Sequence, residues 1–318
     1  ESFYNDKLNS EAEKLLAQGK AKISNGAVCL FPKGFQGRDG EPVPLILRKS
    51  DGGFGYDATD VTALDYRTNV LKAKKLIYVT DTRQKMHFEM LFQAARDAEI
   101  CDDSVELTHV SFGSVLGQDG KPFKTRSGET VTLSSLLDEA EERAKEILLE
   151  KNPNVDKDAL KELSRAIGIS AIKYADLSCD RIKDYIFNWE RMLAFDGNTA
   201  PYIQNAYVRC RALISKAIAR GKKCELHKIA SDDEKRLAKK CMYLGSVVQQ
   251  AAKTYEPHRL CAYLYDLASS YHSFYEKYPV LTESDNSILE SRLAISDYVS
   301  KVLAKGMYLL GVAVIEKM

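Results

Sequence analysis

Between Ala27 and Val110, short apolar runs alternate with longer segments of helical periodicity. The apolar runs predict strands at residues 26–31, 44–47, 76–80 and 107–111, and the segments between them predict helices at residues 61–73 and 85–98. Strands that alternate with helices of this length favour a parallel sheet with crossover helices. Ligands of such sheets bind outside the carboxyl ends of the strands, so the residues that follow each strand are candidates for a site.

After residue 134 the glycine and strand signals fade, and the pattern is helical to the end of the chain. Helices are predicted at residues 133–150, with Ser134 or Ser135 as the N-cap, and at residues 156–178, with Gly168 as a joint. Further helices are predicted at residues 199–220, 231–255, 257–278 and 284–314. We therefore expect an α/β part followed by an all-helical domain, with the boundary between residues 180 and 198.

Composition narrows the class of protein. The 318 residues are 45% hydrophobic and 29% charged with a net charge of +1, which is typical of a globular protein of two domains and argues against nonspecific binding of DNA. No apolar run approaches the roughly 20 residues that cross a bilayer, so no membrane association is expected. Seven scattered cysteines without a C-x-x-C spacing favour reduced thiols in the cytoplasm and no metal site.

The string GGFGYDATD, at residues 52–60, combines three glycines with a tyrosine and two carboxylates. Tyr56 and Asp60 are four residues apart, so a helix that begins near Ala58 could place them on one face suited to a small cationic ligand. The alternative is a glycine hairpin followed by a capped helix, with Asp57 or Thr59 as the N-cap. Spacing alone favours that alternative, because such turns are common.

The residues that follow two of the predicted strands at their carboxyl ends are candidate site residues: Asp81, Arg83, Gln84 and His87 after one strand, and Phe112 and Gly113 after the other. A glycine-rich loop at residues 117–129 then concentrates positive charge at Lys121, Lys124 and Arg126. These cations are either a solvated basic loop, the interpretation favoured without other context, or a clamp that stabilises charge on a polyphosphate.

Two helices of the predicted helical domain carry more polar and aromatic groups than packing requires. The first presents Tyr202, Gln204, Asn205, Arg209 and Arg211, and the second is rich in tyrosine. Helical spacing predicts that Tyr263, Leu267, Phe274 and Tyr278 belong to the core. Aromatic rings beside guanidinium groups also suit single-stranded RNA loops, in which bases stack on rings and cations hold phosphates.

The chain resembles the arginyl-tRNA synthetases, a family of class I aminoacyl-tRNA synthetases, over nearly its whole length. The resemblance rests on the strings ESFYN, FPKG, LILRKSDGGFGYDATDVTALDYR, YVTDTRQKMHFEMLF, HVSFGSVLGQDGKPFKTRSGETVTL, IKYADLS, FNWERMLAFDGNTAPYIQNAYVR and HRLCAYLYDLASSYHSFYE. It implies an α/β Rossmann-like catalytic half-domain followed by an all-α helical-bundle anticodon-binding domain. The implied divisions are residues 1–133 for the catalytic part, 134–185 for a helical connecting region and 186–318 for the anticodon-binding domain.

The resemblance implies an arginine pocket around the string GGFGYDATD at residues 52–60. Glu1 and Asp60 would face the guanidinium of the substrate, while Tyr56 and Gln84 would complete the pocket. The chemistry agrees, because a planar guanidinium has five fixed donors that carboxylates accept in pairs.

The resemblance also implies an ATP site and a tRNA site. His109, Phe112, Gly113 and Val115 match a segment that borders the adenine, and FKTRS matches the second class I signature, with the catalytic lysine's role open among Lys121, Lys124 and Arg126. Tyr202, Arg209 and Tyr275 match positions that contact the anticodon loop. Asn205 lies where many relatives have an aromatic residue.

The implied function is a cytoplasmic arginine–tRNA ligase that uses ATP with Mg²⁺, with L-arginine and tRNA(Arg) as partners, and that is monomeric at full length. The His-x-Gly-His motif of class I enzymes is absent from these 318 residues. We therefore expect the chain to be the carboxyl-terminal portion of a longer enzyme. The alternative function is a fragment that binds tRNA and arginine without ligase activity of its own.

Overall fold

The structure is a computed structural model that describes residues 1–117, 119–121 and 132–317. The chain divides into two compact units, Glu1–Gly113 and Ser114–Met318. The boundary after Gly113 precedes the divisions at residues 133 and 185, which remain predictions.

The first unit opens with a 3₁₀ turn at Ser2–Tyr4 and helix α1 (Asn5–Ala17), followed by strands β1 (Lys22–Ser24), β2 (Ala27–Leu30) and β3 (Leu45–Arg48). These strands form an antiparallel sheet in the order β1-β2-β3, so the expected parallel pairing is wrong for this part. Asn25 and Gly26 have φ values of 49° and 77°, the left-handed conformation that a two-residue hairpin requires. A connection this short joins only antiparallel strands.

The second half of this unit has the predicted parallel arrangement. Strands β4 (Lys75–Asp81) and β5 (Glu106–Phe112) pair in parallel, with Asp81 opposite Phe112 at their carboxyl ends. Helix α3 (Lys85–Asp97) is the crossover between them, and it buries an apolar face that includes Phe88 and Leu91. The prediction of a strand–helix–strand unit is therefore confirmed for residues 75–112.

Helix α2 (Tyr56–Asp65) begins two residues before Ala58 and continues into a π-helical turn at Tyr66–Val70. Gly55 is the N-cap, so the expectation that Asp57 or Thr59 caps the helix is wrong. Both residues lie inside the first turn, and the Asp57 carboxylate instead accepts a hydrogen bond from the Ile46 N–H of β3 at 2.8 Å. This bond ties the start of α2 to the antiparallel sheet.

The second unit begins with strand β6 (Val115–Leu116), which pairs in parallel with β7 (Tyr185–Ile186). Helices α4 (Leu133–Lys151) and α5 (Lys157–Ser178) lie between these strands in the sequence. The N-cap of α4 is Thr132 and not Ser134 or Ser135, because the Thr132 hydroxyl accepts the Ser135 N–H.

Gly168 is not the joint that the sequence predicts, because α5 is continuous through it. A Cβ atom at this position would lie 2.5 Å from the Ala140 carbonyl oxygen of α4. The glycine therefore permits the close packing of α4 against α5.

The remaining helices are α6 (Trp189–Leu193), α7 (Ala200–Ile218), α8 (Asp232–Met242), α9 (Leu244–Thr254), α10 (His258–Lys277) and α11 (Asn286–Leu309). The single helix expected at residues 231–255 is two helices divided at Tyr243. The core of this bundle includes the predicted residues Leu267 and Phe274, with Tyr263 and Tyr278 packed against it, as expected. None of the helices in the described ranges is both long enough and apolar enough to span a bilayer.

Candidate functional site

Three ionisable side chains of the first unit meet between α2 and α3. The Nε2 atom of His87 on α3 lies 2.7 Å from Oδ2 of Asp60 on α2. Its Nδ1 atom lies 3.5 Å from Oδ1 of Asp57, one turn earlier on α2. All three side chains are partly exposed, at 25% for His87, 28% for Asp57 and 29% for Asp60. Both nitrogens of the ring therefore face carboxylates at a position open to solvent.

The electrostatics of this cluster favour a protonated His87. The hydrogen bond with Asp60 raises the pKa of His87 above its usual value, and the negative charges of Asp60 and Asp57 act in the same direction against partial burial. An imidazole donates from both nitrogens only in its protonated form. The raised pKa and the two carboxylate partners are thus consistent with one another.

The other predicted arginine-binding residues lie on segments around α2. Tyr56 is the first residue of this helix, one turn before Asp60, and its side chain is 74% exposed. Gln84 ends a 3₁₀ turn at Thr82–Gln84 that leads directly into α3. Glu1 is exposed and precedes the turn whose Tyr4 packs with Ala58 of α2.

Arg83 makes a local ion pair with Asp81 at the end of β4. Its Nε and Nη2 atoms donate to the two carboxylate oxygens of Asp81 at 2.8 and 3.0 Å. The hydrogen bonds from Arg83 lower the pKa of Asp81 to about 2. Asp81 also caps the 3₁₀ turn through the Arg83 N–H, so this pair fixes the connection from β4 to α3.

Among the predicted ATP-binding residues, His109, Phe112 and Gly113 lie in the first unit, at or just after β5. The Nε2 atom of His109 lies 2.8 Å from the Thr80 hydroxyl of β4, and its ring stacks on Phe88 with centroids 4.7 Å apart. The Phe112 carbonyl accepts a hydrogen bond from the Thr82 hydroxyl at 2.6 Å, while the Phe112 side chain is 41% exposed. His109 thus has packing partners that account for its position in the middle of β5.

Val115 lies in β6 of the second unit. Lys121 is exposed, and it closes a tight turn in which its N–H donates to Asp119 and its carbonyl accepts the Gly117 N–H at 2.7 Å. The predicted catalytic residues Lys124 and Arg126 lie outside the described residues.

Three of the four predicted tRNA-binding residues meet in an aromatic cluster between α7 and α10, which we define by Tyr202, Arg209, Tyr265, His272 and Tyr275. The Tyr202 ring lies 5.4 Å from that of Tyr265 and 4.7 Å from that of His272. The Arg209 guanidinium lies 3.1 Å from Nδ1 of His272 and 5.6 Å from the centre of the Tyr275 ring. Asn205 is half-buried on α7 between Tyr202 and Arg209, at spacings that place all three on one helical face.

Sequence reasoning missed two residues of this cluster, Tyr265 and His272, of which His272 contacts Arg209. Burial lowers the pKa of His272, and the charge of Arg209 acts in the same direction. Its Nε2 atom is buried and has no hydrogen-bond partner among the residues that the structure describes. The sequence did contain a signal, because His272 is one turn from Tyr275 and two turns from Tyr265.

One group of side chains in the second unit has the spacing of metal ligands, although no metal site was predicted from the sequence. Donor atoms of Glu225, His227 and Glu290 lie within 4.8 Å of one another. Lys223 forms an ion pair with Glu225 at 3.5 Å, and His227 with Glu290 at 3.0 Å. These ion pairs account for the group as a surface charge network, and the predicted lack of a metal ligand set stays a prediction.

Comparison with known families also divides the chain in two, although not at the boundary of the two compact units after Gly113. Residues 1–189 match the family of tRNA synthetases class I (R), catalytic domain, and residues 203–318 match the DALR anticodon binding domain. The predicted fold class, an α/β catalytic part followed by an all-helical anticodon-binding domain, is confirmed.

Relatives of known name cover the whole chain. It is 45% identical over 320 residues to an arginine–tRNA ligase of Cellvibrio japonicus and 44% identical over 319 residues to one of Alcanivorax borkumensis. These alignments cover 100% of this chain and 55% of each relative, so the chain spans about half the length of the curated relatives it matches.

Solved structures of arginyl-tRNA synthetases also superpose on all or nearly all of this chain. The arginyl-tRNA synthetase of Plasmodium falciparum superposes with a TM-score of 0.82 at 32% identity, covering 100% of this chain and 53% of that one. The Thermus thermophilus arginyl-tRNA synthetase superposes with a TM-score of 0.83 at 25% identity, covering 98% of this chain and 58% of that one. A methionyl-tRNA synthetase of Mycobacterium tuberculosis, with a TM-score of 0.56 at 14% identity over 95% of this chain and 59% of its own, shares the fold alone.

Proposed function

Because the chain belongs to the arginyl-tRNA synthetase family of class I enzymes, we propose that the protein is an arginine–tRNA ligase. In this reaction L-arginine is activated by ATP and then transferred to tRNA(Arg). The proposed location is the cytoplasm, as for translation in general, and the proposed state at full length is a monomer.

Asp60 carries the proposal, because it offers a partly exposed carboxylate on the helix that also presents Tyr56. A guanidinium donates two parallel hydrogen bonds to a carboxylate, whereas the ammonium of lysine is a single point of charge. Arginine bound at Asp60 would therefore be preferred over lysine by geometry as well as by charge. Glu1, Tyr56 and Gln84 lie on the segments around Asp60 and are proposed to line the same pocket.

ATP is proposed to bind at the carboxyl ends of β4 and β5, where ligands of parallel sheets bind. Phe112 and Gly113 lie at that end of β5, and His109 lies within the strand. On the family resemblance alone, Val115, Lys121, Lys124 and Arg126 are also proposed to take part in binding the adenine and the phosphates. Mg²⁺ would accompany the phosphates and neutralise their charge. Asp81 at this edge accepts hydrogen bonds from Arg83 through both of its carboxylate oxygens, so we do not propose it as a ligand of Mg²⁺.

The anticodon loop of tRNA(Arg) is proposed to bind at the aromatic cluster. Tyr202 and Tyr275 offer rings on which unpaired bases stack, and Arg209 offers a cation for the phosphates. Asn205 lies on the same helical face and would donate or accept hydrogen bonds at base edges.

An aminoacylation assay tests this proposal on the protein at its full natural length. Wild-type protein should charge tRNA(Arg) with arginine in an ATP-dependent reaction, and Asp60→Asn should lower kcat/KM for arginine about a hundredfold, the effect of about 3 kcal/mol. Asp103→Asn is the matched control, because Asp103 is fully exposed in the same unit. Charging with a different amino acid, or undiminished charging by Asp60→Asn, would overturn the proposal.

A second candidate function applies to the 318-residue chain by itself, because it spans 55% of the length of its relatives. In this case the chain binds arginine and tRNA without ligase activity. Equilibrium binding of both ligands to the chain, with no charging in the same assay, is the expected result. Charging by the 318-residue chain alone would reject this second candidate.

A further inference from the structure

Asp57, His87 and Asp60 form a chain of contacts that starts at the antiparallel sheet. The Ile46 N–H of β3 donates to Oδ2 of Asp57 at 2.8 Å, which fixes that carboxylate. The other oxygen of Asp57 lies 3.5 Å from Nδ1 of His87. His87 then reaches Asp60 through Nε2 at 2.7 Å, so a fixed backbone donor orients Asp60 through two side chains.

The short distance between His87 and Asp60 is that of a charge-assisted hydrogen bond. In the described part of the chain, the hydrogen bonds and ion pairs of the Asp60 side chain involve Oδ2 and His87. A guanidinium at Asp60 would therefore share this carboxylate with the His87 imidazole that is already bound to it.

We propose that His87 is a positioning residue that holds Asp60 as an imidazolium before arginine binds and releases a proton to solvent when the guanidinium reaches Asp60. The inference rests on the proposed function, because it requires arginine at Asp60. His87 keeps its Nε2–H bond to Asp60 after deprotonation, since a neutral imidazole still carries one N–H. The released proton cannot come from the guanidinium, which stays charged at every pH at which proteins fold.

The reason for the release is repulsion between two cations that share one carboxylate. A second positive charge near His87 favours its neutral form, so the pKa of His87 falls from its raised value in the free protein. By linkage, a ligand that releases a proton binds more tightly as the pH rises. A fall of one pKa unit corresponds to about a tenfold gain in arginine affinity across the titration.

Among the residues that the structure describes, the charged groups that pair with His87 are Asp57 and Asp60 of α2. Several ionisable side chains on the elements around α3 have partners of their own: Lys14 pairs with Asp65, Arg48 with Glu13, Lys75 with Glu106, Arg83 with Asp81, Lys85 with Glu89, and His109 contacts Thr80. Tyr78 of β4 also senses Asp60, but burial raises its pKa above the usual value, so it keeps its proton near pH 7. The proton count of arginine binding should therefore report His87 in particular.

Calorimetric titration of the full-length protein with L-arginine measures this count. At one pH, the observed enthalpy is plotted against the ionisation enthalpy of buffers such as phosphate and Tris, and the slope gives the protons released. Wild-type protein should release a substantial fraction of one proton near pH 7, and His87→Gln should abolish that fraction. His227→Gln, an exposed histidine of the second unit, is the matched control and should behave as wild type.

Asp57→Asn is a second test that leaves His87 in place. Loss of the Asp57 charge removes one cause of the raised pKa of His87, so the maximum of proton release should move to lower pH while arginine still binds. Equal proton counts for wild type and His87→Gln, with arginine bound by both, would overturn the inference and leave the proposed function intact. Failure of the wild type to bind arginine would overturn the proposed function and the inference with it.

Discussion

The two candidate sites each place a histidine next to a charged residue, with opposite consequences. His87 lies beside two carboxylates and has a raised pKa, whereas His272 lies beside Arg209 in a half-buried position and has a lowered pKa. The first site contains two carboxylates, and we propose that it receives a cation. The second is a guanidinium held among aromatic rings, suited to bases and phosphates.

A guanidinium takes part at both sites, but it belongs to the proposed ligand at one site and to the protein at the other. In the first unit the protein supplies carboxylates and the proposed ligand supplies the guanidinium. In the second unit the protein supplies the guanidinium of Arg209, and its histidine partner is neutral and accepts a hydrogen bond through Nδ1. Variants at one site should therefore leave the binding affinity of the other site unchanged.

Asp60→Asn is the variant expected to separate the two sites most strongly. Arginine affinity should fall about a hundredfold, because an amide lacks the charge that a guanidinium requires and offers it a donor in place of an acceptor. The affinity for tRNA(Arg) should stay within twofold of wild type. Calorimetry with arginine and a filter-binding assay with tRNA measure both, and parallel losses would indicate a folding defect and break the comparison.

Tyr202→Ala should produce the reverse pattern with a somewhat smaller effect. Loss of one stacking ring costs about 1–3 kcal/mol, which is roughly a tenfold to hundredfold loss of tRNA affinity. Arginine binding should not change. Tyr308→Ala is the matched control, since Tyr308 is a 73% exposed tyrosine on α11 of the same unit. An unchanged tRNA affinity in Tyr202→Ala would remove this residue from the proposed interface.

Arg209→Lys tests whether the shape of the guanidinium matters in the second site. Lysine keeps the charge but loses the planar group that lies over Tyr275 and donates to His272, so we expect a tRNA affinity several-fold below wild type. The dependence of binding on salt concentration should be nearly unchanged, because the number of cations is the same. Arg236→Lys, at a 68% exposed position, is the control and should bind as wild type does.

The smallest expected effect is a difference between the pKa values of His87 and His272. NMR of the imidazole groups should give a pKa above the usual value of about 6.5 for His87 and below it for His272. By linkage, His87 stabilises the fold below about pH 6.5, and this contribution is lost as the pH rises through its folded-state pKa. His272 has the opposite sign, because the unfolded state binds the proton more readily, so stability falls as the pH drops below about 6.5. Equal pKa values would contradict the comparison.

Some of this architecture was predictable from the sequence because it depends on local periodicity. The parallel β4 and β5 pair with its crossover helix follows from apolar runs of strand length around an amphipathic helix. The spacing of Tyr56 and Asp60 allowed a shared helix but alone favoured a glycine hairpin before a helix capped at Asp57 or Thr59. The structure has the shared helix, which begins at Tyr56 with Gly55 as the N-cap. The antiparallel hairpin had its own signal in Asn25–Gly26, which the expectation of a uniform parallel sheet passed over.

The contacts between distant segments were not predictable in the same way. The sequence identified His87 as a candidate after a strand end, but its bond to Asp60 joins residues on two different helices. The bond between Asp57 and Ile46 depends likewise on the packing of α2 against β3. A glycine within a helical segment predicts a break in the helix, and only the approach of the Ala140 carbonyl explains why Gly168 lies inside a continuous helix.

Separate titrations with three ligands of the Asp60 site test the central claim most directly, namely that a carboxylate site selects a guanidinium. The full-length protein is titrated by calorimetry with L-arginine, with L-lysine and with citrulline, whose side chain has the shape of arginine without its charge. Arginine should bind at least about a hundredfold more tightly than either analogue, and Asp60→Asn should erase most of that difference. Comparable affinities for arginine and lysine in the wild type, or an undiminished preference in Asp60→Asn, would contradict the account.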